Sequence, residues 1–582
     1  MTSAGTTPAW PGSVLRIGLG CMRLSTDERR DEQRGLETIA AAVYAGITLF
    51  DTAHAYGLGA AELGHNERLL ARALRSCGGA PRARIVTKGG MARREGAWVP
   101  DGRAKTIRAD CEASLEALDG LPIDLYLVHA PDPRTPWRTT LRALARLVDD
   151  GLARHVGVAN VNRPQFDEAL AQVPVAAVQV GLSVLDDSVH RGGLVERCAE
   201  AGVALIAHSP LGGPRRKRSL ERQPGLAGVA GALGATPAEV ALAWLLDLSP
   251  GVVAIPGART PEAARSAARA AGLVLRGEDR AALGAALDVA PPRRPPPPRA
   301  TDQAEVVLVM GIPGAGKTRV AADYVERGFA RLNRDERGGS LRRLAEALDR
   351  SLAAGTRAIV LDNTYLTRAS RSHVVDVAVR HGASASCVWL DIPLAQAQVN
   401  LVERLLDRFG ALPAPAELRR LSKTEAGVLA PTSQMRALRE LEPPSRDEGF
   451  AAVLRVPFER ARRAGGTPGL FVARSALRGD HWERAVAPAA PTLLFDWSPD
   501  GREHDLAADG ARLAAAVGGL VETGVCPHGG GPPICWCRPP LPGLVLAFAR
   551  AHGVDPAAST LVGTSPAHRT LAETLGSRYV PA

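Results

Sequence analysis

Gly311 to Thr318 reads GIPGAGKT. Its glycines, Gly311, Gly314 and Gly316, allow a turn tight enough for successive backbone N–H groups, that of Ala315 among them, to converge on one anion. Lys317 offers an ammonium for the β- and γ-phosphates of a nucleoside triphosphate, and Thr318 a hydroxyl for its Mg²⁺. The apolar run Val306–Met310 precedes the loop and a helix-forming segment, Arg319–Arg327, follows it. Strand, glycine-rich turn and helix is the context that a phosphate-binding loop requires, so this half of the chain is predicted to bind ATP with Mg²⁺.

A second set of chemistry-bearing residues lies upstream. Asp51, Lys88, His129, Asn160, Gln179, Ser209 and Arg259 stand where short apolar runs end. Those runs are Arg16–Gly20, Thr48–Asp51, Ile85–Lys88, Leu125–His129, His155–Val158, Ala177–Val180, Ala204–Ala207 and Val252–Ile255, each followed by a helical stretch. Eight β/α units predict a (β/α)₈ barrel, and the carboxyl ends of barrel strands are where such folds place their active sites. Lysine is scarce: five, at 88, 105, 217, 317 and 423, stand among 71 basic residues. Arginine seldom replaces lysine where a compact ammonium with a tunable pKa is needed, so Lys88 and Lys317 draw attention.

Over 13–290 the chain resembles the aldo-keto reductases, through GLGCMRL (18–24), FDTAHAYG (50–57), VTKGG (86–90), LYLVHAP (125–131) and AHSPLGG (207–213). The resemblance implies a catalytic tetrad of Asp51, Tyr56, Lys88 and His129 acting on a small carbonyl substrate. Tyr56 would give the carbonyl oxygen a proton, Lys88, held by Asp51, would lower the tyrosine's pKa, and His129 would orient the carbonyl. It also implies a cofactor set of Asn160, Gln179, His208, Ser209, Leu211, Gly257, Arg259 and Arg265. The arginines fall where the family holds the adenosine 2′-phosphate, favouring NADPH. Two residues depart from the family pattern: Ala159 stands in place of a serine, and His208 in place of the tyrosine that stacks on the nicotinamide. The run Arg215-Arg216-Lys217-Arg218 either covers the pyrophosphate or is a solvated charge run.

Residues 291–299, PPRRPPPPR, form a stiff, extended spacer within a linker assigned to 291–303. Beyond it, 304–460 resembles the kinase domain of polynucleotide 5′-kinase/3′-phosphatases, on GIPGAGKT, LNRDE (332–336), LDNTYLTRASR (361–371) and DEGFAAVLRVPFE (447–459). That resemblance makes Asp335 the general base toward the acceptor hydroxyl, supported by Arg334. Asp362 and Asn363 would steady the site near Mg²⁺ or the acceptor. Arg404 and Arg408, one helical turn apart, are either lid arginines for the transferring phosphoryl group or a solvated helix face. The acceptor is a 5′-hydroxyl of RNA or DNA, or a nucleoside, sugar or other small hydroxyl compound. No stripe of aromatics interleaved with arginine, of the kind that stacks bases, stands out.

Near the end, Cys526, His528, Cys535 and Cys537 form C-x-H-x₆-C-x-C, two close pairs joined by a glycine/proline loop. They supply four soft ligands for a tetrahedral, structural Zn²⁺; the alternative is three free thiols beside an incidental histidine. With PGL and the segment to 563, the stretch resembles the zinc loop of heptose-bisphosphate phosphatases of the haloacid-dehalogenase superfamily. The catalytic pattern is broken, however. Pro539 stands where lysine is expected, VGTSPAHRT (562–570) lacks the acidic Mg²⁺ ligands, and no Asp-x-Asp-Gly precedes; Asp496 to Gly501 has the wrong spacing. The expectation is a non-catalytic phosphatase remnant that keeps its zinc clip.

At 582 residues and 46% hydrophobic content the chain is long enough for several cored domains. The assigned boundaries are 1–290, 304–465 and 466–582, all α/β. A net charge of +10 permits a polyanionic partner without requiring one. No segment resembles a membrane span or signal peptide, and the scattered cysteines suit reduced thiols, so a cytoplasmic protein without membrane attachment is expected. The functional expectation is a bifunctional enzyme, an NADPH-dependent reductase joined to an ATP-dependent hydroxyl kinase. The alternative is a nicotinamide-sensing barrel attached to a kinase of a small-molecule hydroxyl.

Overall fold

A computed structural model describes residues 10–12, 15–94, 96–213, 216–287, 303–457, 466–478, 482, 490–499 and 504–582. The linker 291–303 lies outside them except for its last residue, as do Arg215, the side chains of Lys217 and Arg218, Phe458 and Glu459, and Asp500 with Gly501. The chain divides into two compact units, Met1–Pro292 and Arg293–Ala582.

In the first unit eight parallel strands follow one another around a barrel: β1 (Leu19–Gly20), β2 (Leu49–Asp51), β3 (Arg84–Gly89), β6 (Ile123–Val128), β7 (His155–Ala159), β8 (Val175–Gly181), β9 (Ala204–His208) and β10 (Val252–Ile255). An antiparallel hairpin, β4 (Met91–Arg94) and β5 (Ala97–Pro100), projects after β3. The barrel closes where Gly18 N donates to Ala254 O and Gly20 N to Pro256 O. Every position of β6 is buried, because its two faces meet the barrel interior and the helical shell. Leu49, Val86, Leu125, Leu127, Ile206 and Val253 fill the interior. Trp10 joins them, its indole N–H donating to Asp124 Oδ2 at 2.7 Å. With the interior filled by side chains, polar residues are left to the strand ends.

The second unit holds two parallel sheets. The first has the order β12 (Ala330–Leu332), β13 (Ala358–Asp362), β11 (Glu305–Met310), β14 (Ser384–Asp391), β15 (Ala452–Pro457). The second has the order β18 (Val521–Cys526), β17 (Thr492–Trp497), β16 (Leu470–Ala473), β19 (Thr560–Gly563), β20 (Arg578–Pro581). In each, the first strand in sequence is central and the chain departs to both sides. The crevice at the carboxyl ends of the central strands is therefore the place for a ligand. The sheets do not stand as separate beads. Leu401, Val402, Leu405 and Leu406 of the Leu394–Phe409 helix share one hydrophobic cluster with Phe471, Trp536, Val545 and Phe548.

Among the described residues no single helix is long and apolar enough to cross a membrane.

Candidate functional site

The barrel's strand ends bring the predicted residues together. Asp51 closes β2, Lys88 lies on β3, and His129 follows β6. Lys88 Nζ donates to both carboxylate oxygens of Asp51, at 2.7 and 2.8 Å, and to Thr52 O at 2.8 Å. It also reaches Tyr56 OH at 3.3 Å. Lys88 is 1% exposed, so its charge is matched almost wholly by this carboxylate and two oxygens. The Tyr56 and His129 rings meet edge to face with centroids 5.7 Å apart.

Burial acts on all three titrating side chains. It pushes the Tyr56 phenol up, and Lys88, acting in the expected direction, only partly opposes it; the net shift is upward. The tyrosine is thus held as a proton-bearing phenol rather than a phenolate. Burial also opposes the charge on Lys88, but Asp51 and Tyr56 outweigh it and raise its pKa. His129 is driven down to about 3 by burial and then by the Lys88 ammonium, so its imidazole is neutral. His129 Nδ1 is buried without a partner.

The other strand-end residues form a polar arc beside this cluster. Gln179 donates to Asp51 Oδ1 at 2.6 Å. Asn160 donates to His129 O at 2.9 Å, and its Oδ1 lies 3.0 Å from His208 Nε2. Asn160 and Ser209 both have left-handed backbones, φ 55° and 51°, a strained conformation that collects at functional sites. Leu211 is half-buried just beyond β9, and Gly257 bridges to Gly20. Arg259 pairs with Asp27 at 3.2 Å, and Arg265, on the Pro261–Ala270 helix, with Glu262 at 3.1 Å.

One residue of this site escaped the sequence reading. Trp98, on the hairpin strand β5, lies 6.0 Å from both the Tyr56 and the His129 rings. Arg93 stacks on Trp98, its guanidinium 4.0 Å from the indole centroid. Nothing in a strand-period reading places a hairpin over a neighbouring strand end. The available signal was an aromatic in a chain with only 4% aromatics, flanked by Gly96 and Pro100.

In the second unit, Gly311–Thr318 links β11 to the Lys317–Glu326 helix. Gly311, Gly314 and Gly316 have φ of 152°, 87° and 89°. At Gly314 a Cβ would sit 2.4 Å from Ala397 O, so the loop is closed against the Leu394–Phe409 helix by the absence of a side chain. Asn400 Nδ2 from that helix donates to Gly314 O at 2.8 Å, and Gln434 Nε2 to Pro313 O at 2.8 Å. Lys317 Nζ donates to Gly311 O and Ile312 O, each at 3.0 Å. Burial, then the charge of Arg404, holds its pKa down to about 8 against Asp362 and Asp335. Thr318 is exposed.

Asp335 sits in a short helix, Arg334–Arg337, whose cap is Asn333: its Oδ1 accepts from Asp335 N at 2.7 Å. The Asp335 carboxylate is half-exposed and pairs with Arg334 at 3.3 Å. Asp362 is more committed, gripped by Arg331 at 2.8 Å and by Asn333. Arg404 and Arg408 separate in role. Arg404 acts on Lys317 and lies against the Gly427 turn, whereas Arg408 is tied to Glu425 and Ala426 O.

Cys526, His528, Cys535 and Cys537 converge, with all ligand atoms within 4.8 Å of one another. Cys526 Sγ lies 3.5 Å from His528 Nδ1 and 3.7 Å from Cys535 Sγ; Cys537 Sγ lies 3.3 Å from His528 Nδ1. Bond lengths of about 2.3 Å to sulfur and 2.1 Å to nitrogen give tetrahedron edges of roughly 3.5–3.8 Å, close to these three separations, so the four residues form a group that could hold a metal ion.

The crevice of the last sheet has a different character. β16 ends in Ala473, followed by Arg474 and Ser475, and Ser475 Oγ lies 2.6 Å from Thr564 Oγ1 beyond β19. Asp496, at the end of β17, faces Arg474 at 3.5 Å. Among the described residues, hydroxyls and an ion pair thus stand at these strand ends.

A closed eight-stranded barrel with a buried Lys–Asp pair against a tyrosine and a neutral histidine defines a carbonyl-processing oxidoreductase site. Residues 16–288 match the Aldo/keto reductase family, and 306–423 match the AAA domain. The chain is 32% identical over 295 residues to "Probable aldo-keto reductase 1" of Glycine max, covering 44% of this chain and 82% of that protein. It is 30% identical over 284 residues to "Uncharacterized oxidoreductase C215.11c" of Schizosaccharomyces pombe, covering 48% and 88%. A solved aldo-keto reductase of Klebsiella pneumoniae, in complex with NADPH, is 27% identical with a TM-score of 0.41, over 48% of this chain and 93% of that one. The chain belongs to the aldo/keto reductase family through its N-terminal barrel, which a P-loop, kinase-like domain follows.

Proposed function

We propose that the chain is a bifunctional enzyme: it reduces a small carbonyl compound with NADPH in the barrel, and in the P-loop domain it transfers phosphate from ATP to a hydroxyl, foremost the 5′-hydroxyl of a polynucleotide. The observation that carries the first activity is the fully buried Lys88–Asp51 pair set against Tyr56. The polar arc suits a nicotinamide cofactor: Asn160 and Gln179 carry amide donors at the strand ends, His208 offers a ring, and Arg259 and Arg265 offer cations for a 2′-phosphate. When bound, NADPH supplies hydride. Tyr56 gives the carbonyl oxygen its proton, and the Lys88 ammonium stabilises the phenolate left behind. Neutral His129 directs a hydrogen bond to the same oxygen.

In the P-loop domain the backbone of 311–316 cradles phosphates, Lys317 leaves its two carbonyl partners for them, and Thr318 holds Mg²⁺. Asp335, half-exposed and capped by Asn333, takes the acceptor proton. Zinc, held by Cys526, His528, Cys535 and Cys537, would act as a structural clip. The last sheet is a phosphatase-like fold without catalysis: Ala473, Ser475 and Thr564 stand where a carboxylate nucleophile and its Mg²⁺ ligands would be needed. We assign the protein to the cytoplasm.

Two assays test the reading. NADPH oxidation over an aldehyde and ketone panel should depend on Tyr56 and Lys88; binding of NADPH without turnover on the whole panel would favour a sensing barrel. Label from γ-labelled ATP should reach a 5′-hydroxyl oligonucleotide and vanish in Asp335→Ala. Transfer to small alcohols alone would replace the polynucleotide as acceptor.

A further inference from the structure

The segment between Leu394 and Glu440 grips the phosphate loop at two points. Asn400 holds Gly314 O from one end, and Gln434 holds Pro313 O from the other. Asn400 lies on the Leu394–Phe409 helix and Gln434 on the Pro431–Glu440 helix, with the Pro415–Thr424 helix and the turn at 425–430 between them. Arg404, whose charge acts on Lys317, leans on that turn at Gly427. Arg408 fastens the turn to the first helix through Glu425 and Ala426 O.

The outer face of this segment is covered by the last domain, and its central anchor is Trp536. This residue is 2% exposed and packs in one cluster with Leu405, Leu406, Leu418 and Val428. Its indole N–H donates to Leu429 O at 3.0 Å, two residues beyond Gly427. Trp536 is also the residue between Cys535 and Cys537, two of the four converging ligands. Its carbonyl accepts from Gly543 N at 3.0 Å, and a Cβ at Gly543 would lie 2.7 Å from Leu412 Cδ1, so the two domains meet there without slack.

We propose that Trp536 is a positioning residue for the nucleotide site, set in place by the metal clip. Metal bound by Cys535 and Cys537 fixes the Trp536 backbone on both sides. The indole fixes the 425–430 turn, and the turn fixes Arg404 and the two grips on the phosphate loop. The last domain, whose central strand ends in Ala473, with Ser475 just beyond, rather than in carboxylates, then serves as the fixed support of its neighbour's lid, and metal occupancy is read out as order in 311–318. The proposal rests on the reading that this loop binds ATP, but its structural readout does not.

The test uses the full chain. Zinc content, the Kd for a fluorescent ATP analogue with Mg²⁺, and hydrogen exchange of 311–318 without nucleotide are measured for wild type, for metal-stripped wild type, and for Trp536→Ala. Expected are retained zinc in Trp536→Ala, a Kd raised about tenfold, in the usual range for coupling between sites, and faster exchange in 311–318. Asn400→Ala should weaken binding similarly and combine with Trp536→Ala less than additively, since both cut one chain of contacts. Simple destabilisation would instead add. Should Trp536→Ala not fold, Trp536→Phe, which fills the cluster but lacks the N–H for Leu429, takes its place. Zinc-loaded variants with wild-type Kd and wild-type exchange overturn the proposal. Failure of every form, wild type included, to bind the analogue overturns the ATP reading instead, and the exchange data still decide the coupling.

Discussion

Replacing Lys88 by methionine removes the ammonium and keeps most of the side-chain volume. Asp51 then keeps the hydrogen bond from Gln179 on Oδ1, while Oδ2 loses its cation in a site only 3% exposed. Removing one partner of a buried ion pair costs about 3–5 kcal/mol, most of it the penalty of the stranded charge. At about 2 °C per kcal/mol for a domain this large, the barrel's unfolding should fall by roughly 6–10 °C. Asp51→Asn in the same chain removes the stranded charge. The double variant should therefore be more stable than Lys88→Met alone, with a coupling of about 2–3 kcal/mol. Carbonyl reduction should be lost in both, which separates the pair's structural role from its chemical one. Differential scanning calorimetry of the four proteins gives the cycle. If Lys88→Met leaves the transition in place, or the double variant falls by the sum of the singles, the buried pair does not work as described.

Three further outcomes follow from the same geometry. Gly314→Ala puts a Cβ 2.4 Å from Ala397 O at φ 87°, so ATP affinity should drop at least about tenfold and the second unit lose about 2–4 kcal/mol. Gly316→Ala, whose nearest neighbour is Leu390 Cδ2 at 3.9 Å, meets only the backbone cost and should be milder in denaturant titration. With Lys317 held to about 8, its ammonium is lost as pH rises through that value. ATP affinity measured by calorimetry should accordingly fall between pH 7 and 9, whereas Lys317→Arg should bind weakly at every pH. His129 is lowered to about 3, below its unfolded value near 6.5, so the unfolded chain binds the extra proton between them. Stability should fall as pH drops from 6.5 toward 3, and less steeply in His129→Gln; equal slopes in urea unfolding would show that His129 is not neutral in the fold.

The barrel strands were legible because each is a short apolar run ended by a polar residue, and burial on both faces demands just that pattern. The predicted Val252–Ile255 matches its strand to the residue, and the predicted Ile85–Lys88 lies one residue inside Arg84–Gly89 at each end. Asp51, Lys88 and His129 stand out for the same reason, as polar residues at strand ends, whereas Tyr56 is marked only by the family resemblance. What stayed hidden depends on contacts distant in sequence. Trp98 reaches the site through a hairpin, and Trp536 meets Leu429 across 107 positions. The strand end at Ala473 is hidden in the same way, because no carboxylate marks it. An alanine and a serine at the centre of a sheet carry no signal until the strand order shows that β16 is central.

The scarcity of lysine sharpens the assignment of both sites. Lys88 occupies a cage 1% exposed, with both Asp51 oxygens and Thr52 O within 2.8 Å of a single nitrogen. A guanidinium spreads its five donors over a plane and could not converge them on that point. Lys317 makes a different use of the same ammonium. It rests on two loop carbonyls, at a pKa near 8, from which it can turn to phosphate without leaving a rigid fork of donors unpaired. At Arg259, Arg265, Arg331 and Arg408, by contrast, a guanidinium is seated on a carboxylate. Among the lysines whose side chains are described, Lys88 and Lys317 are the buried and half-buried ones, and at both a point charge does what a planar one cannot.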